Sequence, residues 1–180
     1  DAFVEAEKRY GYLSRQKGCT FLNCWSIGRH ESYALWKIYL EGSKSGVAIR
    51  STVANLRKSI LHGRDPYDEE IYIGPVTYTD FIEKDQLNQF AVITTKKSFY
   101  TFENELRLFI LHDVNTKKGQ ASPYQGTRGR TVTVDLETLV DQVYVSPFSG
   151  EWLEQALSGI LNKTCPGLST RLRRSEIKDQ

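Results

Sequence analysis

The sequence predicts an α+β fold with a mixed, mostly antiparallel sheet and flanking helices. About six β-prone segments and about five amphipathic segments interleave along the chain, without the strict strand–helix alternation that builds a parallel sheet. No internal repeat and no linker rich in Pro, Gly or Ser divides the 180 residues. Since one domain commonly has this length, we expect residues 1–180 to form a single domain.

Composition and charge exclude several classes of protein. With 39% hydrophobic and 26% charged residues, the composition is that of a globular chain rather than a disordered one. The net charge of +2 is too small for a wholly electrostatic nucleic-acid binder. No apolar run approaches the length of a membrane helix, and the charged N-terminal residues are not a signal peptide. We therefore expect no membrane partner.

Cysteine and histidine usage predicts neither disulfides nor a metal site. The three cysteines Cys19, Cys24 and Cys165 are odd in number and form no CxxC motif. The three histidines are scattered singly. Reduced thiols indicate a cytoplasmic protein, and no metal cofactor is expected.

The first third of the chain is predicted as helix, strand and helix. Apolar residues at three- and four-residue spacing make 2–16 a helix that Gly18 ends. The β-prone run 19–25 is typical of a buried strand. Residues 31–40 have one apolar face and form a helix whose start Ser32 can cap.

The middle of the chain is predicted as two strands around a helix. Residues 46–51 are apolar and β-prone, and Thr52 is the expected N-cap of a helix that continues to His62. Residues 71–78 form a strand interrupted by the pair Gly74-Pro75, and a proline there indicates an edge strand or a bulge.

The last part of the chain contains the predicted central strand, 105–111, which becomes wholly apolar towards its end. Residues 115–129 are the longest unstructured stretch, and the basic segment 171–175 is expected to be a solvated tail. Further elements are expected from amphipathic or β-prone composition: helices over 87–95 and 152–161, and strands over 131–134 and 142–145.

The pair of carboxylates at the start of the central strand is the first candidate site. In an extended chain Glu103, Glu105 and Arg107 point to the same side. Close pairing separates the pKa values of two carboxylates, so that one can act as a general base or hold a ribose hydroxyl. The alternative is a surface ladder in which Glu105 pairs with Arg107 or with a cross-strand lysine. The spacing alone leaves both interpretations open.

Polar residues at the ends of two earlier strands are further candidates. Ser51 or Thr52, after Arg50, can cap the next helix or face a ligand cleft. Cys24 is a nucleophile only beside a base, and the neighbouring His30 has no visible third group to orient it.

Seven ordered blocks of the sequence resemble the bacterial domain-of-unknown-function family numbered 2971. They include the Asn-Cys-Trp, Gly-Val-Ala-Ile and Glu-x-Glu-x-Arg motifs. Ser26 stands where many members have His. Members carry a further N-terminal segment, so the resemblance implies that this chain is the C-terminal portion of a longer family domain. The blocks are 21–25, 31–39, 46–52, 76–80, 96–99 with 103–107, 143–147 and 174–175.

The order of these blocks is similar to that of an ADP-ribosyltransferase-like fold. The resemblance implies that Glu105 is catalytic and Glu103 directs the acceptor. It also implies that NAD is bound by Ser51 or Thr52 and by Arg50 or Arg107. The expected function is then a NAD-using transferase or toxin connected with phage defence, with a protein or nucleic acid as macromolecular acceptor.

Two alternatives belong to other classes of function. In a non-catalytic binding module, the Glu-x-Glu-x-Arg row is a structural ladder and Trp25 and Trp36 pack the core. In a metal-dependent nucleic-acid enzyme, Glu103, Glu105 and Asp80 converge on an ion.

Overall fold

The computed structural model describes residues 11, 20–61, 70–81, 88–111 and 128–177. The strands are β1 (Thr20–Ser26), β2 (Val47–Arg50), β3 (Ile71–Pro75), β4 (Thr77–Tyr78), β5 (Thr95–Lys96), β6 (Glu105–Leu111), β7 (Gln142–Val145) and β8 (Leu172–Arg174). The α-helices are α1 (Tyr33–Leu40), α2 (Val53–Ser59), α3 (Gln89–Thr94), α4 (Leu136–Leu139), α5 (Glu151–Thr164) and α6 (Pro166–Ser169), and Ser98–Glu103 forms a 3₁₀ helix.

Helices and strands combine in open, mostly antiparallel sheets, which confirms the predicted α+β class. In the first sheet, β6 lies between β1 and β3 and is antiparallel to both. In the second, β7 is antiparallel to β2 and parallel to β8. The short strands β4 and β5 form a parallel pair.

The chain divides into two compact units, each made of two separated segments. Unit 1 comprises Asp1–Gly28 and Glu69–Thr131, and unit 2 comprises Arg29–Asp68 and Val132–Gln180. Each unit combines distant parts of the sequence, so the division does not correspond to one linker with a distinct composition. The single domain over 1–180 stays a prediction.

Unit 1 is organised by the central strand β6. Leu106 and Ile110 are buried on one face of this strand, and Phe109 is buried on the other. The ring of Phe109 stacks on Tyr72 of β3 and meets Phe90 of α3 edge to face. These aromatic contacts hold α3 against the sheet.

Unit 2 has its apolar core on one face of the second sheet. Val143 of β7 packs with Val140 and Leu168, and partly buried residues of α5 and β8 join them. Two helices of unit 2 begin at the predicted side-chain caps: Ser32 Oγ accepts from the Leu35 N–H, and Thr52 Oγ1 accepts from the Asn55 N–H at 3.1 Å.

Most predicted elements are confirmed with shifted ends. The central strand 105–111 is found as predicted. The predicted helix 31–40 begins at Tyr33, and the helix after Thr52 ends at Ser59 because the chain then forms a bridge between Ile60 and Val134. The predicted helix 2–16, except Gly11, and the stretch 115–129, except Arg128 and Gly129, lie outside the described residues.

Proline interrupts strand 71–78 at a sheet edge, as expected. Pro75 closes β3, which pairs with β6 on one side only within the described chain. The next residue, Val76, donates its N–H to the Glu105 carbonyl at 2.9 Å. Backbone bonds alternate along an antiparallel pair, so the nitrogen of Pro75 faces away from β6 and no sheet bond is lost.

Three predictions about individual elements are wrong. Within the predicted buried run 19–25, residues 20–25 lie in strand β1, but Leu22, Asn23 and Cys24 are exposed because β1 lies at the edge of its sheet among the described strands. The segment 131–134 contributes only the bridge at Val134. The basic segment 171–175 is not a solvated tail, since β8 within it pairs with β7.

Within the described residues, no helix has both the length and the apolar character needed to cross a membrane.

The cap of α2 provides a test of the fold of unit 2. Replacing Thr52 by Ala removes the acceptor for the Asn55 N–H, and we expect the free energy of unfolding to fall by about 1 kcal/mol. Thr52→Ser keeps the hydroxyl and should stay close to the wild type. Urea unfolding of the three proteins measures the difference, and equal losses in both variants would contradict the capping role.

Candidate functional site

The two carboxylates singled out from the sequence meet on one lysine in unit 1. Lys96 Nζ lies 2.5 Å from Glu103 Oε2 and 2.8 Å from Glu105 Oε1. The side chain of Glu105 is 6% exposed and that of Glu103 14%. The structure therefore brings both predicted catalytic residues together.

The backbone at Asn104 explains how the two carboxylates converge. The sequence pattern predicted Glu103 in an extended chain, and this is wrong. Glu103 ends the 3₁₀ helix, while Glu105 begins β6. Asn104 between them has φ 42°, a left-handed conformation that asparagine tolerates better than most residues. Its amide Nδ2 donates to the Ile27 carbonyl at 2.6 Å, and its own carbonyl accepts from the Ile27 N–H at 2.7 Å. These two bonds fix the turn that aims both carboxylates at Lys96.

Arg107 holds the other oxygen of Glu105. Its Nε and Nη2 atoms both lie 2.7 Å from Glu105 Oε2, and its Nη1 donates to the Ile93 carbonyl near the end of α3. Each of the three guanidinium nitrogens thereby has a partner within the protein. We call Lys96, Glu103, Glu105 and Arg107 the ion-pair network.

Two tyrosines complete the surroundings of the ion-pair network. The Glu105 N–H donates to Tyr78 Oη at 2.8 Å. Lys96 Nζ lies 4.5 Å from the centre of the Tyr100 ring, a favourable position for a cation over an aromatic face. Neither tyrosine was singled out from the sequence pattern. Tyr78 is distant from Glu105 in the sequence, and Tyr100 lies in a segment that forms a 3₁₀ helix rather than an extended chain.

The network holds Glu105 in its charged form. Burial raises the pKa of Glu105, but hydrogen bonds from Lys96 and Arg107 and the positive charge of Arg107 outweigh that effect and lower it to about 2. Two carboxylates face two cations, so the formal charges of the cluster balance. At neutral pH Glu105 is therefore a fixed anion that does not take up or release protons.

Cys24 lies across from Arg107 in the β1–β6 pair. Desolvation and the negative charge of Glu105 raise the pKa of its thiol. A raised pKa lowers the fraction of thiolate, so the environment does not activate Cys24 as a nucleophile. Ser26, next on the same face, donates its hydroxyl to the Glu103 carbonyl at 2.8 Å.

The other predicted cofactor-binding residues lie in unit 2 and have protein partners there. Arg50 is paired with Asp141 at 2.9 Å and donates to Tyr144 Oη at 3.3 Å. The Ser51 hydroxyl donates to the Leu139 carbonyl, and Thr52 caps α2. Of the two roles predicted for Thr52, helix capping or facing a ligand cleft, the structure shows the capping role.

These contacts bear on cofactor and metal binding. Arg107 and Glu105 are paired with each other and with other protein groups, so NAD binding by these side chains would require them to exchange partners. Asp80, the third carboxylate of the metal hypothesis, accepts from the Ser98 N–H at 3.2 Å. Among the residues that the structure describes, no group of three His, Cys, Asp or Glu could hold a metal ion. NAD binding stays a prediction.

The ionised state of Glu105 predicts a specific loss of stability in acid. Its pKa is lower in the folded chain than the ordinary 4.5, so its contribution is complete above about pH 4.5 and is lost as the pH falls to about 2. A pKa difference of this size is worth about 3 kcal/mol of unfolding free energy. Wild type and Glu105→Gln should therefore differ strongly in urea unfolding at pH 7 and much less at pH 2.5.

The exposed Glu176 supplies the matched control. Glu176→Gln removes a carboxylate outside the network and should follow the wild type at every pH. A constant difference between wild type and Glu105→Gln across the pH range would contradict the assigned ionisation.

Comparison of this chain with protein-family models, with curated proteins and with solved structures found no match. The resemblance to the family numbered 2971 thus rests on the sequence blocks, and the activity implied by it stays a prediction. The function has to be argued from the geometry of the site.

Proposed function

We propose that this chain acts by binding and not by catalysis, and that the ion-pair network is a structural support. The observation that carries the proposal is the state of Glu105. Its side chain is 6% exposed, one oxygen is held by Lys96 and the other by Arg107. A carboxylate that is to hold a ribose hydroxyl or take up a proton has to be within reach of the substrate.

The network supports a turn with exposed aromatic side chains. Lys96 anchors Glu103 at the end of the 3₁₀ helix, and the Asp80 side chain accepts from the Ser98 N–H at its start. Between these anchors, Phe99 is 68% exposed and Phe102 53% exposed. Aromatic side chains are enriched in the parts of interfaces that contribute most to binding, so a rigid turn of this kind suits recognition of a partner.

ADP-ribosyl transfer with NAD as donor is the second candidate function. One observation favours it: Glu105 is ionised and lies beside Glu103 at the start of a central strand. An anion there could stabilise the positive charge that develops on the ribose as nicotinamide leaves. For this role Lys96 or Arg107 would have to release Glu105 when NAD binds.

A label-transfer experiment separates the two functions. The wild-type chain is incubated with NAD labelled in its adenylate part, together with protein, RNA or DNA acceptors. We expect neither transfer of label nor release of nicotinamide, because the oxygens of Glu105 are held by Lys96 and Arg107.

The variant Glu105→Gln serves as the control for the label-transfer experiment. Label transfer by the wild type that disappears in a folded Glu105→Gln protein would overturn the proposal in favour of the transferase. Cells that overproduce the wild type should also grow like cells that overproduce Glu105→Gln, since a toxin would require the catalytic carboxylate.

A further inference from the structure

We propose that the outer edge of β1 pairs with β1 of a second copy of this chain, in antiparallel orientation. This inference goes beyond the proposed function and concerns a different surface of unit 1. It depends on three observations: the direction of the backbone groups of β1, the composition of the strand, and its exposure.

The backbone groups of β1 alternate between its two edges. The Ile27 N–H donates to the Asn104 carbonyl. In an antiparallel pair every second residue bonds to the same neighbouring strand, so Trp25 and Asn23 also bond to β6. The N–H and C=O groups of the intervening residues Leu22, Cys24 and Ser26 therefore point to the opposite edge. Within the described chain, no strand pairs with that edge.

In the part of the chain that the structure describes, the outer edge of β1 lacks charges, prolines and bulges, three features that protect sheet edges in proteins. Strand Thr20–Ser26 contains no charged residue and no proline, and its residues pair one to one with β6 without a bulge. Leu22 is 49% exposed, and Asn23, Cys24 and Ser26 are also exposed. A seven-residue strand of this kind is a template for the addition of another strand.

The strand is complementary to itself. A two-fold axis at Cys24 would place Leu22 opposite the partner's Ser26 and Cys24 opposite the partner's Cys24. Each outward residue then donates one backbone hydrogen bond and accepts one, and the sheet β1-β6-β3 continues into its copy. No like charges meet, because the strand has no charges.

The absence of charge also favours a second copy over a foreign strand. An uncharged edge provides no electrostatic selection for another protein, whereas a symmetric pairing repeats every favourable contact twice. Pairing over so few residues buries less than the roughly 1,200 Å² of a standard interface, so we expect a dimer with a Kd in the micromolar range.

Cysteine cross-linking tests the pairing and its register. In a hydrogen-bonded antiparallel pair the Cα atoms are about 5.5 Å apart, within the range that a disulfide spans. A variant with Cys19→Ser and Cys165→Ser retains only Cys24. On mild oxidation, we expect it to form a covalent dimer.

Moving the cysteine supplies the matched control. In a background without the three native cysteines, Leu22→Cys alone and Ser26→Cys alone should stay monomeric. A mixture of the two should cross-link, because the axis places Leu22 opposite the partner's Ser26. Equal cross-linking of all the variants, single and mixed, would indicate random collision and overturn the inference.

Molar mass in solution gives an independent readout. By light scattering, the wild type should approach twice its 20.6 kDa as its concentration rises from about 1 to about 100 µM. Leu22→Pro removes an outward N–H and none of the bonds to β6, so it should remain monomeric with an unchanged circular dichroism spectrum. A wild type that stays at 20.6 kDa throughout and does not cross-link at Cys24 would overturn the inference.

The outcomes of the two proposals are separable. A chain that neither dimerises nor turns over NAD contradicts the edge pairing and leaves the proposed function standing. A chain that dimerises and also transfers label through Glu105 contradicts the proposed function and leaves the edge pairing standing.

Discussion

The burial of Glu105 is the constraint on which unit 1 depends. Removing a carboxylate from water is costly, and the cost is offset only when cations and hydrogen bonds satisfy it. Lys96 comes from β5 and Arg107 from β6 itself, and the same two side chains also reach the 3₁₀ helix and the end of α3. One buried charge thus ties four elements together, and each of them would lose an anchor if Glu105 became neutral.

Unit 2 is stabilised in a different way. Its sheet is held by an apolar core around Val143 and by side chains that satisfy backbone groups at the ends of elements. Arg171 is an example, because its guanidinium donates to the carbonyls of Glu137 and Val140 at the end of α4. Ser51 and Thr52 fit the same pattern, since they bond to the Leu139 carbonyl and the Asn55 N–H, whereas Arg50 pairs with the side chain of Asp141. A residue type suited to ligand binding is equally suited to closing a helix or a strand, and only the contacts distinguish the two roles.

Local patterns in the sequence predicted the elements well and their environment less well. The caps at Ser32 and Thr52 and the central position of β6 followed from composition, because these features depend on neighbours in the chain. The burial of β1 did not follow, since an apolar run looks alike at an edge and at the centre of a sheet. The pairing of Glu105 with Arg107 or a lysine was foreseen as one alternative, but its burial was not. Lys96 and Tyr78 were missed because the left-handed turn at Asn104 decides which distant side chains meet.

The division of the chain into interleaved segments has a consequence for its synthesis. Strand β2 emerges from the ribosome early, but its partner β7 follows only after all of unit 1 has been made. Strand β1 likewise waits for β6 while the first segment of unit 2 is being translated. Such pairings between distant segments close large loops and form slowly. During translation β1 and β2 are therefore exposed without their sheets, and a chain that terminates near Thr131 would leave β2 without its partner strand.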